Sequence, residues 1–83
     1  MSEKIRQLEK QLNAARGQAY RLYDFILEIN ARIEDAQRQN DLNAYLEAKS
    51  DLAVATIQHQ KCYARIVDLR RELDEAQRTP TDS

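Results

Sequence analysis

Apolar residues recur through the first half of the chain at alternating spacings of three and four residues. This spacing is the a/d heptad pattern of a helix that packs lengthwise against another helix. It predicts one long amphipathic helix over residues 3–39. The stripe consists of Ile5, Leu8, Leu12, Ala15, Ala19, Leu22, Ile26, Ile29, Ile33 and Ala36.

A second stripe with the same spacing follows and predicts a second helix over residues 42–78. Its members are Tyr45, Ala48, Leu52, Ala55, His59, Cys62, Ile66, Leu69, Leu73 and Ala76. The two stripes are out of phase, and the break falls at residues 40–41. Asn40 tolerates the left-handed conformation and Asp41 is a good helix cap, so a turn is predicted there. Pro80 disfavours helix at the residue before it, and we expect residues 79–83 to form a disordered tail.

Folding the chain back at this turn brings the two stripes into register. Facing residues then have numbers that sum to 81, because the fold is centred between residues 40 and 41. Every stripe position acquires a stripe partner, as in the layer of Ile29 and Leu52. The sequence therefore predicts an all-α, antiparallel two-helix hairpin, coiled-coil-like, as a single domain over residues 1–83. The same register predicts that Arg32 approaches Asp51 and that Glu9 approaches Arg70.

Composition agrees with a fold that has few turns. The 83 residues include one Gly and one Pro, the residues on which most turns depend. Gly17 is the one position at which the first helix could break into two and give a three-helix bundle. The heptad passes through Gly17 without a change of phase, which favours a continuous helix.

The charge balance excludes several function classes. Thirteen Lys and Arg residues oppose fourteen Asp and Glu residues, for a net charge of −1, and no basic face of the kind that binds nucleic acid stands out. Mean hydropathy is −0.79, and no apolar run approaches the ~20 residues of a membrane span. A charged N-terminal stretch predicts no signal peptide. A single cysteine fits a reducing compartment, so a cytoplasmic location is expected.

Apolar residues outside the two stripes predict an interaction surface, because a free hairpin would not cluster them. These candidate interface residues are Tyr20, Tyr23, Phe25, Leu27, Leu46, Ala53, Ile57, Tyr63, Ala64 and Val67. Four of the five aromatic rings lie near the middle of the predicted rod. Two occupants remain open. One is a second copy, giving a homodimer that forms a four-helix bundle, and the other is a larger protein of unidentified kind.

His59 and Cys62 lie one helical turn apart on the second stripe. Two such pairs from two protomers could ligate zinc, but one chain supplies only two of the four ligands needed. The favoured interpretation is that His59 hydrogen-bonds a tyrosine hydroxyl and that Cys62 packs as a small apolar residue. No base, orienting acid and oxyanion site occur together in the sequence. The sequence therefore predicts no catalytic residue, no metal and no cofactor, and the chain is expected not to be an enzyme.

By architecture the predicted hairpin resembles the Rop-type RNA-binding dimers, although it lacks a basic face. The Asp41…Tyr45 spacing, a polar turn just ahead of a tyrosine, is similar to that of the hairpin co-chaperones of type III secretion, and small phage-encoded inhibitors share the size. These resemblances imply binding rather than catalysis. The sequence predicts a non-enzymatic protein–protein interaction module, a self-associating hairpin that acts as an adaptor, chaperone or inhibitor of a larger protein. The alternative is a Rop-like nucleic-acid-binding regulator.

Overall fold

The computed structural model describes residues 3–78, which form two α-helices joined by a short turn. Helix α1 spans Glu3–Arg38 and helix α2 spans Leu42–Arg78. The helices pack against each other as a rod with extents of 63 × 14 × 12 Å. The predicted all-α antiparallel hairpin is confirmed. The tail predicted at residues 79–83 lies outside the described residues.

The turn is built around a left-handed residue that ends α1. Asn40 has a φ of 55°. Its N–H donates to the carbonyl of Gln37 over 3.2 Å, and the N–H of Asp41 donates to the carbonyl of Ala36 over 2.9 Å. This pair of bonds is the Schellman motif, which satisfies carbonyls that the end of a helix would otherwise leave unpaired. Asparagine is one of the few residues other than glycine that adopt the required conformation at low cost.

Asp41 ends one helix and begins the next. Its Oδ1 accepts a hydrogen bond from the N–H of Ala44 over 3.1 Å, which makes it the N-cap of α2. Its carbonyl accepts the first α2 backbone bond from the N–H of Tyr45 over 3.0 Å. Because the same residue takes part in both helix ends, no residue between them is free to adjust. The turn therefore fixes the phase of α2 relative to α1.

The two predicted stripes form the core. Every buried residue in the described range belongs to one stripe or the other, and Ile29 and Ala48 are fully buried at 0% exposure. Burial of these apolar side chains is the main stabilising contribution to the hairpin. The buried residues are Leu8, Leu12, Ala15, Ile29, Ala36, Ala48, Ala55, Cys62, Ile66 and Leu69.

The core is divided into two clusters. The free-end cluster contains Leu8, Leu12, Ala15, Ile66 and Leu69, with Ala19, Leu73 and Ala76 packed against it. The turn cluster contains Ile29, Ala48 and Ala55, with Ile26, Ile33 and Leu52 packed against it. Between the two clusters lies the layer of Leu22 and His59, both of which are half-buried. We call this layer the waist.

Gly17 lies inside α1, which continues through it without interruption. The three-helix alternative is therefore wrong. A Cβ atom added at this position would meet only Nη1 of Arg21, at 3.6 Å, which is an ordinary van der Waals contact. No close approach of another element requires a glycine here.

Candidate interaction surface

Arg32 identifies one side of the hairpin. Its Nη2 lies 3.1 Å from Oδ2 of Asp51 and 3.9 Å from Oε1 of Glu47, both on α2. In the predicted register residue 32 faces residue 49, and these two acidic residues lie two positions before and after residue 49. The predicted Arg32–Asp51 approach is thus confirmed, and with it the register. We call the side that carries these three residues the arginine side.

The predicted approach of Glu9 to Arg70 is not realised. Both side chains are exposed, and within residues 3–78 they form no ion pair with each other. With Ile5 of α1 and Tyr45 of α2 taken as a positions of the heptad, both occupy e positions, on the side of the hairpin opposite the arginine side. Their charges therefore remain available at the surface.

The opposite side of the hairpin carries most of the predicted interface residues, and we call it the tyrosine face. It is defined by the b and e positions of both helices. In an antiparallel pair of helices, e positions lie next to e positions on one side and g positions lie next to g positions on the other. Arg32 and Asp51 are such a pair of g positions. Tyr20 is 72% exposed, Tyr63 60% and Tyr23 53%. The apolar members of the face are Tyr20, Tyr23, Leu27, Leu42, Leu46, Ala53, Tyr63 and Val67, all exposed.

Ile57 and Ala64 occupy f positions of α2, the positions farthest from α1. Both are exposed. They adjoin the tyrosine face because f and b positions alternate along one stripe of a helix. The apolar surface of α2 therefore extends from the tyrosine face onto the outer side of that helix.

Phe25 lies apart from the tyrosines. It is one heptad before Arg32 in α1, and Val54 is one heptad after Glu47 in α2, so both belong to the arginine side. Both are exposed, among largely charged and amide neighbours. The rings of Phe25 and Tyr23 are close in sequence but occupy opposite sides of the rod. The ten predicted interface residues thus do not form one continuous patch.

The hydrogen bonds at His59 and Cys62 differ from those expected. The thiol of Cys62 donates to the backbone carbonyl of Ala15 over 3.2 Å, and Cys62 is buried. Cys62 thus packs in the seam, as expected of a small apolar residue. The expected bond from His59 to a tyrosine hydroxyl is absent among the hydrogen bonds of residues 3–78. In the same range, no three or more His, Cys, Asp or Glu side chains are grouped to hold a metal ion.

The ten predicted interface residues omit two large exposed apolar residues, Val54 and Leu42. Leu42 begins α2 and is 66% exposed. With Tyr45 it lines an open depression of about 290 Å³ beside the turn. The signal was available, because Leu42 is an apolar residue at an e position, outside the seam.

Comparison with known proteins gives no relative. No family model matches the chain, and no curated protein or solved structure matches it at a significant level. Neither α1 nor α2 has a segment long and apolar enough to cross a membrane.

Proposed function

We propose that this chain is a non-enzymatic protein–protein interaction module, a self-associating helical hairpin that acts as an adaptor, chaperone or inhibitor of a larger protein. The observation that carries the proposal is the tyrosine face. A hairpin whose own seam is already filled still presents three tyrosines and several aliphatic residues to solvent on one side. Grouped apolar residues of this kind are typical of binding surfaces.

The chemistry of the face supports binding to protein. Tyrosine is enriched among the residues that dominate binding energy, because it offers a large apolar area, a polar tip and few rotatable bonds. The face lies on two helices, so the backbone that carries the contacting side chains is already ordered before a partner binds. Less conformational entropy is then lost on binding.

The state of Cys62 supports a non-catalytic role. Its thiol is buried and bonds a backbone carbonyl, an interaction that serves packing rather than activation of a nucleophile. A catalytic thiol needs a neighbouring base and a partly exposed, electropositive setting. A free buried cysteine also fits the cytoplasm, where we place the protein.

The charges favour protein over nucleic acid as the partner. Two basic residues of α2 pair with acidic ones, Arg71 with Asp68 at 3.4 Å and Arg78 with Asp74 at 3.0 Å, and the net charge of the chain is −1. Phosphate backbones are bound by unpaired basic clusters. The Rop-like alternative is therefore the weaker of the two. Salt-sensitive binding of the hairpin to RNA or DNA would overturn this choice.

Affinity capture from the native host, followed by mass spectrometry, tests the proposal. The bait is compared with two variants, Tyr63→Lys on the tyrosine face and Phe25→Lys on the arginine side. Both replaced side chains are exposed, so each variant should fold. A partner that is retained by the unmodified chain at high salt, and reconstituted with it from purified components, supports the proposal. If the hairpin is monomeric and no captured protein can be reconstituted with it, the proposal is wrong.

A further inference from the structure

We infer that the tyrosine face binds a second copy of this chain about a two-fold axis parallel to the helices, so that both turns lie at the same end of a four-helix bundle. The inference rests on the proposed function and names one partner and one geometry for it. In this arrangement α1 of each hairpin lies against α2 of the other. Each helix is then antiparallel to both of its neighbours.

The surface area of the hairpin favours a second copy. Its accessible surface is 6436 Å². A compact monomer of the same mass exposes about 5100 Å² by the general scaling of surface with mass, which leaves an excess of about 1300 Å². A stable interface removes about 800 Å² from each partner. One interface along the tyrosine face is of the size needed to offset most of this excess.

Symmetry makes the arrangement testable against the sequence. A two-fold axis parallel to the helices keeps every residue at its own level along the rod. Residue n of α1 therefore faces residue 81 − n of the partner's α2. The two hairpins cannot shift along the rod relative to each other without breaking the symmetry. The charges of the face either match at these fixed levels or they do not.

At the free end of the rod the charges match. Measured along the rod, Glu9 is offset by two residue positions from Arg70 of the other copy. Arg6 is offset by one residue position from Asp74 of the other copy. One position corresponds to about 1.5 Å along the rod, which is well within side-chain reach. Glu9 and Arg70 do not pair within the hairpin, so their charges are free for this contact. Asp74 already pairs with Arg78 at 3.0 Å and would accept a second cation.

Near the turn the charges match again. Glu34 lies two positions in level from Lys49 of the other copy. Lys49 lies 6.0 Å from the centre of the Tyr45 ring and forms no ion pair among the described residues. Attractive contacts thus occur at both ends of the face. Complementary charges of this kind fix the orientation of partners more than they add affinity.

Between the charged ends, apolar side chains face each other. Measured along the rod, Tyr20 is offset by two residue positions from Tyr63 of the other copy, and Leu27 is offset by one position from Ala53 of the other copy. A large residue against a small one lets helices approach closely, and paired tyrosines add aromatic contact. The middle of the interface is therefore apolar and its ends are charged.

The opposite orientation brings like charges together when its axis lies at the waist. It places the turns at opposite ends, with a two-fold axis perpendicular to the helices and α1 against the partner's α1. With that axis at the waist, Glu9 approaches Glu34 of the other copy and Arg70 approaches Lys49 of the other copy. Like charges at an interface suppress the orientation that brings them together.

With the axis moved to the level of Tyr20, Arg6 is level with Glu34 of the other copy, and Asp74 lies one position from Lys49 of the other copy. The charges therefore count against this orientation for an axis at the waist, and a measured distance between the two turns decides for the other positions of the axis.

Distance measurement between two spin labels tests the orientation. The label is placed on Asn43→Cys, an exposed position in the first turn of α2, in a Cys62→Ala background. Turns at the same end predict a label separation of about 20–35 Å, from helix spacing plus label length. Turns at opposite ends predict about 50 Å. A peak near 50 Å would overturn the inferred geometry.

Two matched variants test the face. Tyr63→Lys should raise the dimer dissociation constant by about 30-fold or more, as measured by sedimentation equilibrium, because it buries a charge at the centre of the interface. Phe25→Lys, on the arginine side, should change it less than threefold. The reverse ranking, or a folded monomer at micromolar concentration, would overturn the inference. A monomer that still binds a reconstituted host protein would leave the proposed function standing, so the two failures are distinguishable.

Discussion

Arg32 donates a hydrogen bond across the helix–helix groove to Asp51, over 3.1 Å. The other ion pairs in which both partners lie within residues 3–78, apart from the longer contact of Arg32 with Glu47, join side chains three or four positions apart in one helix. Arg32 therefore reports the register of the two helices. Both partners are about half exposed, at 45% and 46% for their side chains, so the pair identifies the register more than it stabilises it.

A double-mutant cycle should show this modest contribution. The variants Arg32→Ala, Asp51→Ala and the double change are compared by urea unfolding. We expect a coupling free energy of about 0.2–1 kcal/mol at low ionic strength, the usual range for exposed pairs. It should fall in 1 M salt, which screens exposed charges. A coupling of zero at low ionic strength would contradict the contact.

Gly17→Ala should stabilise the hairpin by about 0.5–1 kcal/mol in urea unfolding. Glycine in a helix costs backbone entropy, and the added methyl group meets only the flexible end of Arg21. Ala31→Gly is the matched control, because Ala31 is likewise an f position of α1, and it is exposed. It should lose a similar amount. Destabilisation by Gly17→Ala would mean that Gly17 has a packing role that the structure does not contain.

Asn40→Gly should leave stability unchanged or slightly raised, whereas Asn40→Val should cost about 1–2 kcal/mol. The φ of 55° suits glycine and strains a β-branched residue. Asn43→Val, one helical position inside α2, is the control and should change the free energy of unfolding by less than about 0.5 kcal/mol. Equal costs for the two valine variants would be inconsistent with a left-handed turn residue.

His59→Leu should stabilise the hairpin by about 1–2 kcal/mol. The substitution supplies apolar surface at the waist, opposite Leu22, and joins the free-end and turn clusters into one core. His59→Gln keeps a polar residue there and should have little effect. Hydrogen exchange of backbone amides on both sides of the waist should become more uniform in the leucine variant. Loss of stability on His59→Leu would show that the histidine makes a contribution the structure does not explain.

The sequence predicts the fold well because one physical signal determines most of it. The alternation of three and four residues defines both seams, and the change of phase at Asn40 and Asp41 locates the turn. Each of these features depends on residues close in sequence. The division of the core at the waist was harder to predict, since it depends on how completely Leu22 and His59 are covered by neighbours from both helices.

The candidate surface is less predictable than the fold. Exposed apolar residues can be identified from the heptad, but the prediction grouped Phe25 with the tyrosines, although they lie on opposite sides of the hairpin. The contacts of Arg32 with Asp51 and Glu47 define the side on which Phe25 lies. Hydrogen bonds across the seam, such as the one from Cys62 to Ala15, depend on atomic distances that no residue pattern specifies.

The continuity of the Asn40–Asp41 turn has a consequence for how such a chain can change in length. With no spare residue between the helices, the level of every α2 residue is fixed by its distance from the turn. A deletion in one arm alone would shift all layers beyond it and turn the rest of that seam by about 100° per residue. Seven residues removed from each arm at matching levels would leave every remaining layer intact. Related hairpins should therefore differ in length by paired heptads, one in each arm.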